Sequence, residues 1–173
     1  MADAVVVWLR NDLRVADNPA LAAAMETGGK TTALYIHETD SALRPPGGAA
    51  RWWLHQSLAS LGNSLAAIGV RLDVRNGAAE ETLFGALKDH AAGAVFWNRR
   101  YGPAAREIDS RIKARAGREG LATGSFAANV LVEPFDIETG AGQPYSVYTP
   151  FWRALRMRNI PHPLLAPKGT RVP

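Results

Sequence analysis

The chain has no cysteine among its 173 residues, which excludes disulfides, thiolate metal sites and a cysteine nucleophile. Its histidines, His37, His55, His90 and His162, are scattered. They form neither an H-x-x-H nor an H-E-x-x-H spacing, and no serine and acid stand with them in a triad-like order. No apolar run approaches the roughly 20 residues that a membrane helix needs. The amino terminus is short, acidic at Asp3, and lacks a signal-peptide pattern, so a soluble cytoplasmic chain without a membrane partner is expected. Charge of one sign is also scarce: 20 basic against 16 acidic residues leave +4, with no polybasic run. That excess is too small and too dispersed to argue nucleic-acid binding by itself. Glycine is missing from the turn Arg10-Asn11-Asp12-Leu13-Arg14. Neither a G-x-G-x-x-G pyrophosphate turn nor a Walker loop is therefore possible there.

What is present begins with Ala4-Val5-Val6-Val7-Trp8-Leu9, a continuous apolar run rich in β-branched residues. Such a run reads as a strand buried on both faces, as at the centre of a parallel sheet. The charged turn follows it, and Asp17 or Asn18 can cap a helix with Pro19 in its first position. Further strands are predicted over 31–37, 70–75, 94–97 and 121–126, and helices over 19–26, after Gly48, over 78–90 and from about Pro103. In the second helix Leu54, Leu58, Leu61, Leu65 and Ile68 form one apolar stripe, with Trp52 nearly opposite. In the third, Leu83, Phe84 and Leu87 face inward; in the fourth, Ala104, Ile108 and Ile112 do. His90 reads as a cation at a helix carboxyl end. Alternating strands and helices predict an α/β, Rossmann-like, doubly wound parallel sheet of five strands in order 3-2-1-4-5, with helices on both faces. That order makes the first and fourth strands neighbours and sets the Arg10 turn beside Asn98 and Arg99.

The α/β domain is expected to occupy residues 1–129. Residues 130–173 read as an irregular connection, a short helix capped near Thr149 and Pro150, and the start of a linker through Pro161, Pro163, Pro167 and Pro173. Tyr148, Phe151 and Trp152 put three aromatics into that short helix, which marks an exposed contact surface for a partner domain.

Four segments carry a resemblance. VWLRNDLRVADNPAL resembles the opening of the DNA photolyase and cryptochrome family, matching its pattern at Trp8, Arg10, Asp12, Leu13, Arg14, Asp17, Asn18, Ala20 and Leu21. AVFWNRRYGP is similar to the family's fourth-strand segment, and QPYSVYTPFWRAL to the segment that leaves the amino-terminal domain. RWWLHQSLASL resembles the second-helix segment of bacterial photolyases with a paired tryptophan. The resemblance implies the antenna domain of a deoxyribodipyrimidine photolyase, a carbon–carbon lyase that splits UV-induced pyrimidine dimers with blue light. It implies that FAD and the damaged-DNA pocket belong to a helical partner domain absent from this sequence, that the protein is a monomer, and that no residue here is catalytic. Arg10, Asp12, Arg14 and Asp17 read as structural rather than chemical.

The resemblance further implies an antenna chromophore. The Asn-Glu pair of one folate-binding group is replaced here by Ala104-Ala105. The acidic residues of deazaflavin-binding members are replaced by Arg100 and Gly102. The remaining candidate site consists of Tyr35 and Glu38 at the end of the second strand and Trp52, His55 and Gln56 at the next helix start. A flat pterin with adjacent N–H donors would use an aromatic face and a carboxylate, so methenyltetrahydrofolate is favoured over deazaflavin or FMN. The alternatives for these residues are packing of Trp52 on a partner domain or on the Pro45-Pro46 loop, and a solvated Glu38. For the whole chain they are a cryptochrome-like photoreceptor and an unrelated α/β nucleotide- or partner-binding module.

Overall fold

The computed structural model of the chain describes residues 4–169; Asp3 and Pro173 lie outside the described residues. The elements run β1 (Ala4–Leu9), α1 (Pro19–Glu26), β2 (Thr31–Glu38), α2 (Gly48–Ala66), β3 (Arg71–Gly77), α3 (Ala79–Asp89), β4 (Ala92–Asn98), α4 (Pro103–Arg118) and β5 (Ala122–Phe126). A 3-10 turn (Pro134–Asp136) and α5 (Tyr148–Arg156) follow. All strand pairs are parallel and the sheet order is β3-β2-β1-β4-β5, as expected.

The apolar run in β1 has a direct cause. Its even residues Val6 and Trp8 join Leu83, Leu87, Ile108 and Ile112 in a core under α3 and α4. Its odd residues Val5, Val7 and Leu9 join Leu21, Leu61 and Leu65 in a second core under α1 and α2. A strand that faces a helix pair on each side has no polar face to alternate with. Trp8 and Trp97 meet edge to face on adjacent strands, ring centroids 6.3 Å apart, a geometry worth about 0.5–1.5 kcal/mol beyond the area buried.

Helix ends follow local chemistry. Asn18 is the N-cap of α1 and accepts from the Leu21 amide at 3.2 Å, with Pro19 next. Gly28 follows that helix at φ +71°, a left-handed conformation that costs glycine nothing. His90 is the C-cap residue of α3 and also bonds Asp73 Oδ2 at 2.8 Å.

Three local expectations need correction. Helix α5 starts one residue before Thr149, with Val147 as a cap that lends no side-chain bond. The small residue that buries α4 is Ala105 rather than Ala104, one position further round the helix. Only Leu61 and Leu65 of the α2 stripe are buried, while Leu54, Leu58 and Ile68 are half-buried. The helix runs antiparallel to the strands, so its first turns overhang the sheet's carboxyl edge and have no strand beneath them.

Beyond residue 129 the chain returns to the α/β layer. Arg14 donates to the Ala128 carbonyl at 2.7 Å and to Asn129 Oδ1 at 2.9 Å. The Asp17 amide donates to the Leu164 carbonyl at 2.8 Å. Tyr148 and Trp152 are exposed on α5 and stack with planes 9° apart, whereas Phe151 is half-buried.

Candidate functional site

The turn after β1 is a buried polar knot. Asn98, the last residue of β4, donates to Asp12 Oδ2 at 2.6 Å and to Asn18 Oδ1 at 2.8 Å, and its own Oδ1 accepts from the Ala20 amide. Asp12 Oδ1 accepts from the Arg10 amide at 2.6 Å. The Arg10 guanidinium donates to Asp109 Oδ1 at 2.5 Å and to the Asn98 carbonyl, and lies over the Trp8 ring at 4.3 Å. Asp109 also accepts from Trp97 Nε1 at 3.0 Å. Burial pulls the Arg10 pKa below its ordinary value, opposed by the Asp109 charge. Arg10, Asp12 and Asn18 thus clamp the ends of β1, β4 and α1 together. Arg14 and Asp17 hold the later chain.

Above the knot lies an open cavity of about 970 Å³ at the carboxyl ends of β2, β1 and β4. Ligand sites of open α/β sheets form at this edge, where the strand order reverses. Tyr35 and Glu38 enter from β2, Arg10 from the β1 turn, Arg99 and Arg100 from the residues after β4, and Trp53 from α2. Glu38 and Arg100 form a bidentate pair at 2.8 and 3.0 Å with little exposure of either side chain. Arg99 Nε donates to Glu133 at 2.8 Å, so the segment beyond β5 completes one wall. The Tyr35 hydroxyl is pushed above its ordinary pKa by burial and then by the nearby Glu38 charge, and stays protonated at neutral pH. The Tyr101 hydroxyl is raised likewise, by burial and then by the neighbouring Glu133 carboxylate.

Of the residues expected at a site, Tyr35 and Glu38 line this cavity. Trp52, His55 and Gln56 do not; they are exposed on the far flank of α2. Helix phase explains the split. At about 100° per residue, Ala50, Trp53, Leu54 and Ser57 share the face that looks over the sheet edge, and Trp52 points nearly away from it. Trp53 is 68% exposed and forms part of the cavity wall.

A parallel sheet of this order, with a cavity at its switch point, defines a doubly wound α/β domain. The sequence profile of the DNA photolyase family matches residues 5–168. The chain belongs to that family. It is 45% identical over 170 residues to a deoxyribodipyrimidine photo-lyase of Agrobacterium fabrum, covering 98% of this chain and 35% of that protein. It is 37% identical over 166 residues to cryptochrome-1 of Arabidopsis thaliana, covering 94% and 24%. The crystal structure of a bacterial class III photolyase from Agrobacterium tumefaciens superposes with a TM-score of 0.89 at 42% identity, over 99% of this chain and 36% of that one. The chain therefore spans about a third or less of the length of these relatives.

Proposed function

We propose that this chain is the light-harvesting domain of a deoxyribodipyrimidine photolyase and that the cavity at the strand ends holds its antenna chromophore. The observation that carries the reading is the wall itself: Tyr35 and Trp53 line it with aromatic rings, and Glu38, the last residue of β2, lines it with a carboxylate. A pterin fits this donor and acceptor set. Its adjacent ring N–H and amino group are paired donors of the kind a carboxylate accepts, and Glu38, fixed by Arg100, is the carboxylate in the wall. A bound methenyltetrahydrofolate would absorb light and pass the energy to a flavin. Tyr35, Glu38 and Trp53 are the contacts proposed here, and Trp52, His55 and Gln56 are proposed at most for the outer rim.

FAD, the damaged DNA and dimer splitting are assigned to a helical domain beyond residues 130–173, which act as connection and linker. Tyr148, Phe151 and Trp152 are its proposed contacts, two of them exposed on α5. A cryptochrome-like photoreceptor is the second reading, favoured by the identity to the Arabidopsis protein. Dimer repair by the full-length protein separates the two.

The test is titration of the 173-residue chain with methenyltetrahydrofolate, deazaflavin and FMN, followed by fluorescence anisotropy, with a blue-light repair assay alongside. Saturable one-to-one binding of one chromophore and no repair by this chain alone are expected. Absence of saturable binding by all three overturns the antenna reading. Repair by the chain alone overturns the assignment of the chemistry elsewhere.

A further inference from the structure

The excess positive charge of the chain forms no run of neighbours, yet it lies in one segment. Residues 1–138 carry 15 lysines and arginines against all 16 acidic residues, and residues 139–173 carry the other five with no acid at all. Helix α5 holds Arg153 and Arg156 from that set, both exposed and, among the described residues, without an ion pair or side-chain hydrogen bond. The helix is amphipathic, yet none of its residues is buried, although nine residues are too few to hold a helix in water without packing. At about 100° per residue Tyr148, Trp152 and Arg156 follow one another along one side, with Arg153 on its flank. Phe151 and Leu155 turn instead toward an adjoining groove of about 430 Å³. Its other lining residues, Leu131, Val132, Ile137 and Tyr145 among them, carry no charge. Leu131 is 68% exposed, and Phe135 and Val147, next in sequence to lining residues or to α5, are exposed as well.

We infer that this surface docks an amphipathic helix whose apolar stripe fills the groove and whose flank presents carboxylates to Arg153 and Arg156. The inference rests on the reading of α5 as the contact for a helical partner domain and adds the chemistry of the face which that domain presents. An uncharged groove with a charged border is the anatomy of a protein interface, apolar at the centre and polar at the rim. Guanidinium groups are weakly hydrated and take carboxylates through two parallel bonds. From residue 139 on the segment has no acid of its own to compete for them. The stacked Tyr148–Trp152 pair, planes 9° apart, would beside two arginines also suit a nucleic-acid strand. A phosphate backbone has no apolar stripe with which to fill the groove, and the occupant is therefore protein.

The experiment titrates the 173-residue chain with three labelled probes, followed by fluorescence anisotropy. They are a synthetic helical peptide with a leucine stripe flanked by glutamates, the same stripe flanked by lysines, and an oligothymidylate strand. Wild type is expected to bind the glutamate peptide about tenfold more tightly than the lysine peptide at low salt, with the preference fading toward roughly 0.5 M salt. The double variant Arg153→Gln, Arg156→Gln should lose the preference and keep the affinity for the stripe. The double reversal Arg153→Glu, Arg156→Glu should invert the order of the two peptides, with the circular dichroism of the fold unchanged. Trp152→Ala should weaken both peptides alike. Equal binding of the two peptides by wild type, or a preference that the double variants leave unchanged, overturns the inference and leaves α5 standing as a contact surface. An oligothymidylate that binds more tightly than either peptide and displaces them assigns the surface to nucleic acid and overturns the inference. No binding of either peptide overturns both the inference and the reading of α5 on which it rests, while the antenna reading of the other cavity is decided by its own titration.

Discussion

Asn98 Nδ2 lies 2.6 Å from Asp12 Oδ2, and this bond locks the end of β4 to the turn after β1 across 86 residues of sequence. Both side chains are buried, and the same amide group also reaches Asn18, the cap of α1. The floor of the cavity is therefore set by a polar network that cannot rearrange without leaving a charge unpaired in the core. Asn98→Ala strands the Asp12 carboxylate and the Ala20 amide. It should cost about 2–3 kcal/mol in urea unfolding, near the upper end for a lost bond to a charged group. Asn11→Ala, one residue from Asp12 but exposed, should stay within roughly 0.5 kcal/mol. Equal effects of the two would show that the network carries no special load.

Asp73 sits on edge strand β3, with Arg75 Nε at 2.9 Å and His90 Nε2 at 2.8 Å. Burial pushes its pKa up, but the bonds and charges of Arg75 and His90 together bring it below the ordinary carboxylate value. A carboxylate whose folded pKa is depressed adds stability above its unfolded pKa and loses it as the pH falls through the folded one. The contribution should be complete above about pH 4 and should fade below it. Asp73→Asn is expected to flatten this part of the acid limb in unfolding measured from pH 6 to 2. An acid limb identical to wild type would contradict the assignment.

Asp17 holds the chain's later course. Its left-handed backbone, φ 51°, turns its amide toward the Leu164 carbonyl at 2.8 Å, while Oδ1 accepts from the Leu164 amide at 3.1 Å. Removing the carboxylate in Asp17→Ala should raise hydrogen exchange across residues 160–168, and should leave the amides of β1 and β4 protected. Unchanged exchange in that segment would mean that the proline-rich course is set by packing alone.

The sheet was readable from the sequence because its signals are local and redundant. The unbroken apolar run 4–9 has one physical meaning, and the caps at Asn18 and Pro19 fix where α1 begins. The structural role of Arg10 and Asp12 was also readable, since a charged turn beside the end of the neighbouring strand needs partners. Trp53 was not. Its neighbour Trp52 stands out as the aromatic opposite the leucine stripe, and Trp53, at the stripe's flank, carries no signal of its own. Only the overhang of α2 beyond the sheet edge, a tertiary fact, turns the stripe's first turns into a cavity wall. The Glu38–Arg100 pair was hidden for the same reason, because it joins residues 62 positions apart.

The measurement that bears most directly on the central claim is titration with methenyltetrahydrofolate of the wild-type chain, Trp53→Ala, Trp52→Ala and Glu38→Gln. If the chromophore lies in the cavity between β2 and α2, Trp53→Ala loses a stacking surface and should weaken binding roughly tenfold or more. Glu38→Gln, which cannot accept a paired N–H edge at both oxygens, should weaken it comparably. Trp52→Ala, on the far flank of α2, should bind within about twofold of wild type. Loss of binding in Trp52→Ala with Trp53→Ala and Glu38→Gln unaffected would place the chromophore outside this cavity and contradict the account.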